Sequence, residues 1–309
     1  MAHRSGTVEF VVGDQKLETW YLITGDLKNS KKTPVVILHG GPVMNYIYLK
    51  YVLTQFHFPL QQLNPPDRSH EKLSDEAGIP VVFYNQIGFK KYPDIPVSFW
   101  TRELFFDELD NLVEKLGIKD NFGVYGHSWG GVMGSEYAAT RSPPGLKKLV
   151  LANTFASSPL YNQCKEDWID KLPGNLPQII RKHKADGTTN AQEYKDAVQV
   201  YKNLHICTLT PWPDELLDSL AHSRGNLPPG VDLIPDDWDV VDKLPNIQCP
   251  TLVISSPKDD MAELCVRPFF QKIEKCKWVD LQVASHVPFF EEPERYFSVL
   301  QDFLDATDK

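Results

Sequence analysis

Short, continuous apolar runs recur along the sequence and restrict its fold more than any other feature. They lack the alternation of apolar and polar residues that a half-exposed strand shows. Runs of this kind form strands that are buried on both faces, as in a parallel sheet. The runs are Pro34–Leu38, Val81–Tyr84, Phe122–Tyr125, Lys148–Leu151, Thr251–Ser255 and Trp278–Val283.

Two further stretches, Thr7–Val12 and Leu17–Thr24, are rich in β-branched and aromatic residues and predict an N-terminal hairpin. Helical periodicity predicts helices at Glu103–Leu116, Gly130–Thr140 and Pro293–Leu304. This alternation of strands and helices is typical of a doubly wound sheet. We therefore predict an α/β fold whose mostly parallel sheet has eight strands.

Residues 156–245 interrupt the alternation. They contain three helical patterns joined by proline-rich segments, at Leu160–Lys171, Asn190–His205 and Pro213–His222. We expect a helical cap here, inserted into a core that consists of residues 1–155 and 246–309. The polar stretch His57–Pro80 is also irregular, and we expect it to act as a lid because long irregular loops are often functional.

The charge balance argues against two classes of partner. Lys and Arg number 32 against 41 Asp and Glu, so the net charge is −9 and a nucleic-acid or anionic-membrane surface is not expected. No apolar run approaches the ~20 residues of a membrane span, and the first residues do not resemble a signal peptide. The five cysteines lack metal-ligand spacing and are expected to be reduced. We expect a cytoplasmic protein, with no prediction of its oligomeric state.

The residues Gly126-His127-Ser128-Trp129-Gly130-Gly131 follow an apolar run and precede a helical pattern. A GxSxG pattern in this context is typical of a nucleophile elbow, in which the serine lies on a sharp strand-to-helix turn. The helix N-terminus favours negative charge beside the hydroxyl. Ser128 is therefore the predicted nucleophile.

A second motif, His39-Gly40-Gly41-Pro42, follows the first apolar run. An HGG turn at this position donates one backbone N–H to an oxyanion hole, and the residue after the nucleophile donates another. The predicted donors are Gly41 and Trp129. Each such donor stabilises the transition state by ~3 kcal/mol.

The base and the acid are expected in late loops. Of the nine histidines, only His286 lies between the last predicted strand and the C-terminal helix, so it is the predicted base. Asp259 and Asp260 follow the run Thr251–Ser255, and one of them is expected to orient the imidazole. Spacing alone does not decide between the two aspartates. The order Ser, Asp, His is that of α/β hydrolases.

These motifs occur together with FYNQIG at residues 83–88 and SHVPFFEEPERY at residues 285–296. The combination resembles proline iminopeptidases and related amino-acid amidases over nearly the whole chain. This resemblance implies an α/β-hydrolase fold with a helical cap. It also implies a Ser128–His286–Asp259 triad, with Gly41 and Trp129 as the oxyanion donors.

The resemblance also concerns the substrate. Peptidases of this family hold the free α-amino group with acidic side chains, and the resemblance places one of these at Asp260. The cap segment 224–230, where the family has another, contains no acidic residue. Gly40, Pro42 and Tyr46 are further substrate-binding candidates. A single carboxylate binds the ammonium group of a substrate less strongly than two would. We therefore expect weak aminopeptidase activity, with neutral or N-blocked substrates accepted at least as well.

The leading interpretation is a serine hydrolase similar to proline iminopeptidases, which cleaves a small amide or aminoacyl bond through an acyl-enzyme. The alternative is an ester, lactone or amide hydrolase without a free-amine requirement. An apolar segment favours it: Tyr46, Tyr48, Tyr51, Phe56, Phe58 and Leu60. A third interpretation is a non-catalytic binding protein on the same fold.

No motif predicts a metal or a cofactor. The HGGP turn lacks the Lys-Ser/Thr of a phosphate loop and the third glycine of a dinucleotide-binding turn. The acidic pairs Asp236-Asp237 and Glu291-Glu292 are interpreted as solvated charges at helix ends. The expected partner is a small-molecule or short peptide-like substrate.

Overall fold

The computed structural model describes residues 3–50, 69–222 and 227–306. Its strands are β1 His3–Val12, β2 Gln15–Thr24, β3 Val35–Leu38, β4 Val81–Asn85, β5 Phe122–His127, β6 Leu146–Ala152, β7 Thr251–Ser255 and β8 Cys276–Asp280. Within the described residues they form one sheet in the order β1-β2-β4-β3-β5-β6-β7-β8. β2 is antiparallel to both neighbours, and all the other pairs are parallel. The predicted α/β fold with a mostly parallel, eight-stranded sheet is confirmed.

Helices cover the sheet and continue between β6 and β7. They are α1 Ile47–Lys50, α2 Lys72–Asp75, α3 Arg102–Lys115, α4 Trp129–Arg141, α5 Ser158–Asp170, α6 Leu176–Ala185, α7 Gln192–His205, α8 Asp214–His222, α9 Glu263–Lys272, α10 Pro288–Glu291 and α11 Pro293–Asp305. Short 3₁₀ turns occur at Val97–Phe99 and Val241–Asn246. Among the described helices, none has the length and hydrophobicity needed to cross a bilayer.

Burial on both faces of the sheet explains the continuous apolar runs. In β3, Val36 and Leu38 belong to one hydrophobic cluster, whereas Val35 and Ile37 belong to another. Successive side chains of a strand point to opposite faces, so both faces are covered. The first cluster includes side chains of α3, α4 and α9, and the second includes side chains of α2 and α11. Ligands of such sheets bind beyond the carboxyl ends of the strands, where the loops after β3, β5, β7 and β8 meet.

The structure differs from the predictions at one strand and one helix. The last strand ends at Asp280 rather than at Val283, whose side chain is 57% exposed. Helix α6 was not predicted because it buries only Pro177, Ile180 and His183, too short an apolar stripe to stand out among its basic residues.

Of the expected lid at His57–Pro80, residues 69–80 belong to the part of the chain that the structure describes. Residues 57–68 lie outside the described residues, as do Tyr51 and the predicted apolar positions after it. Residues 69–80 are not a lid, because His70, Leu73 and Ile79 are buried in the core. The Nε2 atom of His70 lies 2.9 Å from the hydroxyl of Tyr296 in α11.

Helices α5 to α8 lie within residues 156–245, the predicted cap. Ile169 of α5, Ile180 of α6, and Ala197 and Tyr201 of α7 form a small hydrophobic cluster of their own. A separate cluster is what an inserted unit requires, because each folding unit needs its own core. The division of the chain into core and cap remains a prediction.

Candidate active site

Ser128 lies between the last residue of β5 and the first residue of α4, and its backbone is strained. Its φ is 55° and its ψ is −123°, a positive φ that non-glycine residues rarely adopt. The flanking glycines are required by close approach: a Cβ atom at Gly126 would lie 2.3 Å from the carbonyl oxygen of Gly130. A Cβ atom at Gly130 would lie 2.0 Å from that of Leu38. The local geometry is thus the sharp turn that the GxSxG pattern predicts.

His286 and Asp259 are hydrogen-bonded to each other. The Nδ1 atom of His286 donates to Oδ1 of Asp259 at 2.9 Å, and both residues are buried. The carboxylate also accepts from the backbone N–H of Met261 at 3.0 Å and from the side-chain amide of Asn153 at 2.7 Å. Oδ1 of Asp260 is 4.0 Å from the same imidazole nitrogen. Of the two aspartates that the sequence offered, the imidazole is therefore bonded to Asp259.

Burial and charge shift the pKa values of Asp259, His286 and Asp260. Burial alone would raise the pKa of Asp259, but the imidazole and the hydrogen bonds outweigh it and hold this pKa below the ordinary value. Burial would lower the pKa of His286, but the Asp259 carboxylate outweighs it and raises this pKa to about 9. At Asp260 burial outweighs the opposing effects of the His286 imidazole and the Tyr161 hydroxyl and, together with the neighbouring Asp259 carboxylate, raises the pKa to about 7.

The HGG turn lies against the nucleophile. A Cβ atom at Gly40 would lie 3.3 Å from the Cβ atom of Ser128, and one at Gly41 would lie 2.6 Å from the backbone nitrogen of Val43. Gly41 has a φ of 132°, which favours glycine. Trp129 is the first residue of α4, so its N–H has no partner within the helix. Both N–H groups proposed as oxyanion donors thus belong to segments that adjoin Ser128.

A buried chain of hydrogen bonds joins the HGG turn to the loop of His286. The backbone N–H of Gly40 donates to the Tyr48 hydroxyl at 2.7 Å. That hydroxyl lies 2.9 Å from Nδ1 of His127, and Nε2 of His127 lies 2.8 Å from the carbonyl oxygen of His286. Since the carbonyl only accepts, Nε2 of His127 carries the proton and Nδ1 accepts from Tyr48. Burial lowers the pKa of His127 to about 3, which keeps the ring neutral.

Asp260 faces the first helix of the predicted cap. Its Oδ2 atom accepts from the hydroxyl of Tyr161, in α5, at 3.2 Å. Its Oδ1 atom is buried and accepts no hydrogen bond from any residue that the structure describes. Such an atom normally has a partner, so a ligand group that donates hydrogen bonds is chemically matched to it.

Glu291 is a site-forming residue that the sequence analysis interpreted wrongly. It is half-buried, and its carboxylate accepts from the backbone N–H of Ser285 at 2.6 Å. It also accepts from the backbone N–H of Thr208, which follows α7, at 2.6 Å. Glu291 therefore connects the loop of His286 to the predicted cap. Asp236 and Asp237 are exposed, as expected.

The other substrate-binding candidates occupy different environments. Gly40 and Pro42 belong to the turn beside Ser128. Tyr46 stacks on Trp20 at a ring separation of 4.9 Å and lines, together with Phe89, a cavity of about 440 Å³. Tyr46 therefore packs against Trp20 and also lines this cavity.

Among the described residues, one group has the composition of a metal site: donor atoms of Asp259, Asp260 and His286 lie within 4.8 Å of one another. The Nδ1 atom of His286 already donates its proton to Asp259, so it has no lone pair for an ion. The group is better matched to proton transfer than to metal binding.

Comparisons with known proteins show the family of the chain. A model of the alpha/beta hydrolase family matches residues 35–299. The chain is 26% identical to the proline iminopeptidase of Lactobacillus helveticus, over 94% of this chain and 96% of that one. The crystal structure of VinJ superposes with a TM-score of 0.81 at 35% identity, covering 97% of this chain and 98% of the other. That of proline iminopeptidase from Mycobacterium smegmatis gives a TM-score of 0.80 at 29% identity, covering 97% of each chain. The chain therefore belongs to the α/β-hydrolase family, as a hydrolase of the group that resembles proline iminopeptidases.

Proposed function

We propose that the protein is a serine hydrolase with Ser128 as nucleophile, His286 as general base and Asp259 as the residue that orients His286. The hydrogen bond between His286 and Asp259 carries this proposal. Its position, at the same sheet edge as the strained turn of Ser128, supports the assignment.

The proposed mechanism uses the tautomer that this hydrogen bond selects. Because Nδ1 donates to Asp259, Nε2 of neutral His286 has the lone pair that takes the proton of the Ser128 hydroxyl. The serine oxygen attacks the substrate carbonyl, and the N–H groups of Gly41 and Trp129 stabilise the oxyanion. His286 then gives its proton to the leaving group. Water, activated by the same base, hydrolyses the acyl-enzyme.

The sequence predicts weak aminopeptidase activity, but the unsatisfied oxygen of Asp260 supports a different proposal, a small aminoacyl amide or ester with a free amino group as the substrate. A buried carboxylate with an unsatisfied oxygen is unfavourable unless a ligand pairs with it, and Oδ1 of Asp260 is such an atom. An ammonium group would supply both charge and donors. The relatives named proline iminopeptidases support the same substrate class.

A neutral substrate is the second candidate, because binding a free amino group would be favoured by a second carboxylate from the cap beside Asp260. Glu193, an acidic residue in the first turn of α7 in the predicted cap, pairs with His183 at 3.2 Å rather than assisting Asp260. The cap segment 224–230, which contains no acidic residue, lies partly outside the described residues. A protonated Asp260 would accept an uncharged group, and its raised pKa of about 7 is compatible with that form near neutrality.

Two measurements test these proposals. A fluorophosphonate probe should label the wild-type protein but not Ser128→Ala, and Ser128→Ala should lose several orders of magnitude in kcat with little change in KM. Absence of labelling in the wild type would favour the non-catalytic interpretation. The substrate class is decided by kcat/KM for alanyl and prolyl arylamides against N-acetyl and ester analogues. A preference above about a hundredfold for the free amine identifies an aminopeptidase, and a smaller one identifies the neutral hydrolase.

A further inference from the structure

The FYNQIG segment, at residues 83–88, has no role in the mechanism described so far. It ends β4 and continues into the loop beside the HGG turn. Gln86 in this segment is 1% exposed, and its side chain and backbone bond in two directions. The side chain leads to Trp129 and the backbone leads, through His39, to Gly41, and these are the two proposed oxyanion donors.

The first connection runs through the side chain. The indole Nε1–H of Trp129 donates to Oε1 of Gln86 at 2.9 Å, and both residues are buried. The backbone N–H of Trp129 is a proposed oxyanion donor, so a bond to its indole restrains the residue that carries this donor. Phe105 packs edge-on against the same indole at 5.8 Å and limits its rotation.

The second connection runs through the backbone. The N–H of Gln86 donates to Nε2 of His39 at 3.2 Å, so this ring carries its proton on Nδ1. Nδ1 of His39 then donates to the carbonyl oxygen of Gly40 at 2.9 Å. The peptide bond that contains this carbonyl also contains the N–H of Gly41, the other proposed donor. Burial lowers the pKa of His39 to about 4, so the ring stays neutral.

The segment is itself anchored from α3. Both side-chain oxygens of buried Glu108 lie within hydrogen-bond distance of the backbone N–H of Ile87, at 3.0 and 3.1 Å. Ile87 follows Gln86 directly, so this contact fixes the backbone of the loop next to Gln86. A rigid anchor is what an oxyanion hole needs, since its donors must be in place before charge develops.

We propose that Gln86 is a positioning residue of the oxyanion hole, which holds Trp129 through its side-chain oxygen. Its backbone N–H, which is kept in any side-chain variant, supports the Gly40–Gly41 peptide through His39. This inference rests on the proposed serine-hydrolase function. Gln86 does not touch the substrate in this proposal and acts only through the two donors.

The test uses the rate at which a fluorophosphonate labels Ser128, together with kcat and KM for an aryl ester. Removing an oxyanion donor costs about 10²–10³ in kcat, and displacing one should cost less, about tenfold. Gln86→Met keeps the length of the side chain but removes the acceptor. We expect it to lower kcat and the labelling rate about tenfold, with KM unchanged.

Two further variants make the test specific. Met133→Leu is the matched control: it removes the other contact of the Gln86 amide, 3.9 Å from Nε2 to Sδ, and should leave the rates unchanged. Trp129→Phe removes the same hydrogen bond from its other end. It should reproduce the effect of Gln86→Met, and the double variant should be no slower than either single variant.

The outcomes separate this inference from the function on which it rests. If wild-type Ser128 is not labelled, the proposed function fails. If it is labelled and Gln86→Met reacts at the wild-type rate, or changes only KM, the positioning role is overturned. If Gln86→Met does not fold, Trp129→Phe decides, because an unchanged rate in that variant contradicts the proposal equally.

Discussion

Nδ1 of His286 lies 2.9 Å from Oδ1 of Asp259 and 4.0 Å from Oδ1 of Asp260. Of these two adjacent aspartates, only Asp259 is within hydrogen-bond distance of the imidazole. The nearer is hydrogen-bonded to it, whereas the Oδ2 atom of the farther accepts from Tyr161 of the predicted cap. This difference separates an orienting role from a ligand-binding role.

Replacing each aspartate should therefore affect a different kinetic constant. Asp259→Asn should lower kcat by about 10⁴, because the amide favours the wrong tautomer of His286. Asp260→Asn should mainly raise KM for amine-bearing substrates, by about one to two powers of ten, because a charge-assisted hydrogen bond is lost. The check is steady-state kinetics with a free-amine arylamide and its N-acetyl analogue. Equal losses of kcat in the two variants would contradict the division of roles.

The pH dependence of activity should reflect the raised pKa of His286. A general base acts in its neutral form, so kcat/KM should increase with pH through the pKa of this imidazole, about 9 in the structure. Asp259→Asn removes the carboxylate that raises this pKa, and the acid limb should then move to lower pH. The measurement is the pH profile of hydrolysis of a reactive aryl ester. An acid limb that stays in place in Asp259→Asn would show that another group controls it.

Glu291 should support both the stability of the protein and the position of its base. Glu291→Gln leaves fewer acceptors for the N–H groups of Ser285 and Thr208. We expect the free energy of unfolding, measured by urea denaturation, to fall by about 1–3 kcal/mol. We also expect kcat, measured by steady-state kinetics, to fall. Glu274→Gln, at an exposed position in the turn after α9, is the control and should change neither.

Glu108 should make folding stability depend on pH. Burial raises its pKa to about 8, so between an unfolded value near 4.5 and about 8 the folded state retains a proton that the unfolded state has lost. Stability contributed by this group therefore decreases as pH rises through that window. Glu108→Gln should abolish this contribution and, relative to wild type, raise Tm more at pH 8 than at pH 5. Glu103→Gln, exposed on the same helix, should show no such difference.

The sequence by itself determined the features that depend on neighbouring residues. Continuous apolar runs predicted strands buried on both faces, and the structure has them in a single mostly parallel sheet. The glycines around Ser128 predicted a sharp turn, because only residues without a Cβ atom fit there. These predictions succeeded because each depends on a short stretch of chain whose pattern reflects its local conformation.

The tertiary structure decided the partners of the buried polar groups. Spacing left Asp259 and Asp260 open and only the family resemblance favoured Asp259, whereas the fold bonds Asp259 to His286, 27 residues away along the chain. It also brought Glu291 to Thr208, 83 residues away, although the sequence favoured a solvated charge. The side chain of a glutamate has no local signature of burial, because its environment is set by segments that meet only when the sheet and the loops have assembled.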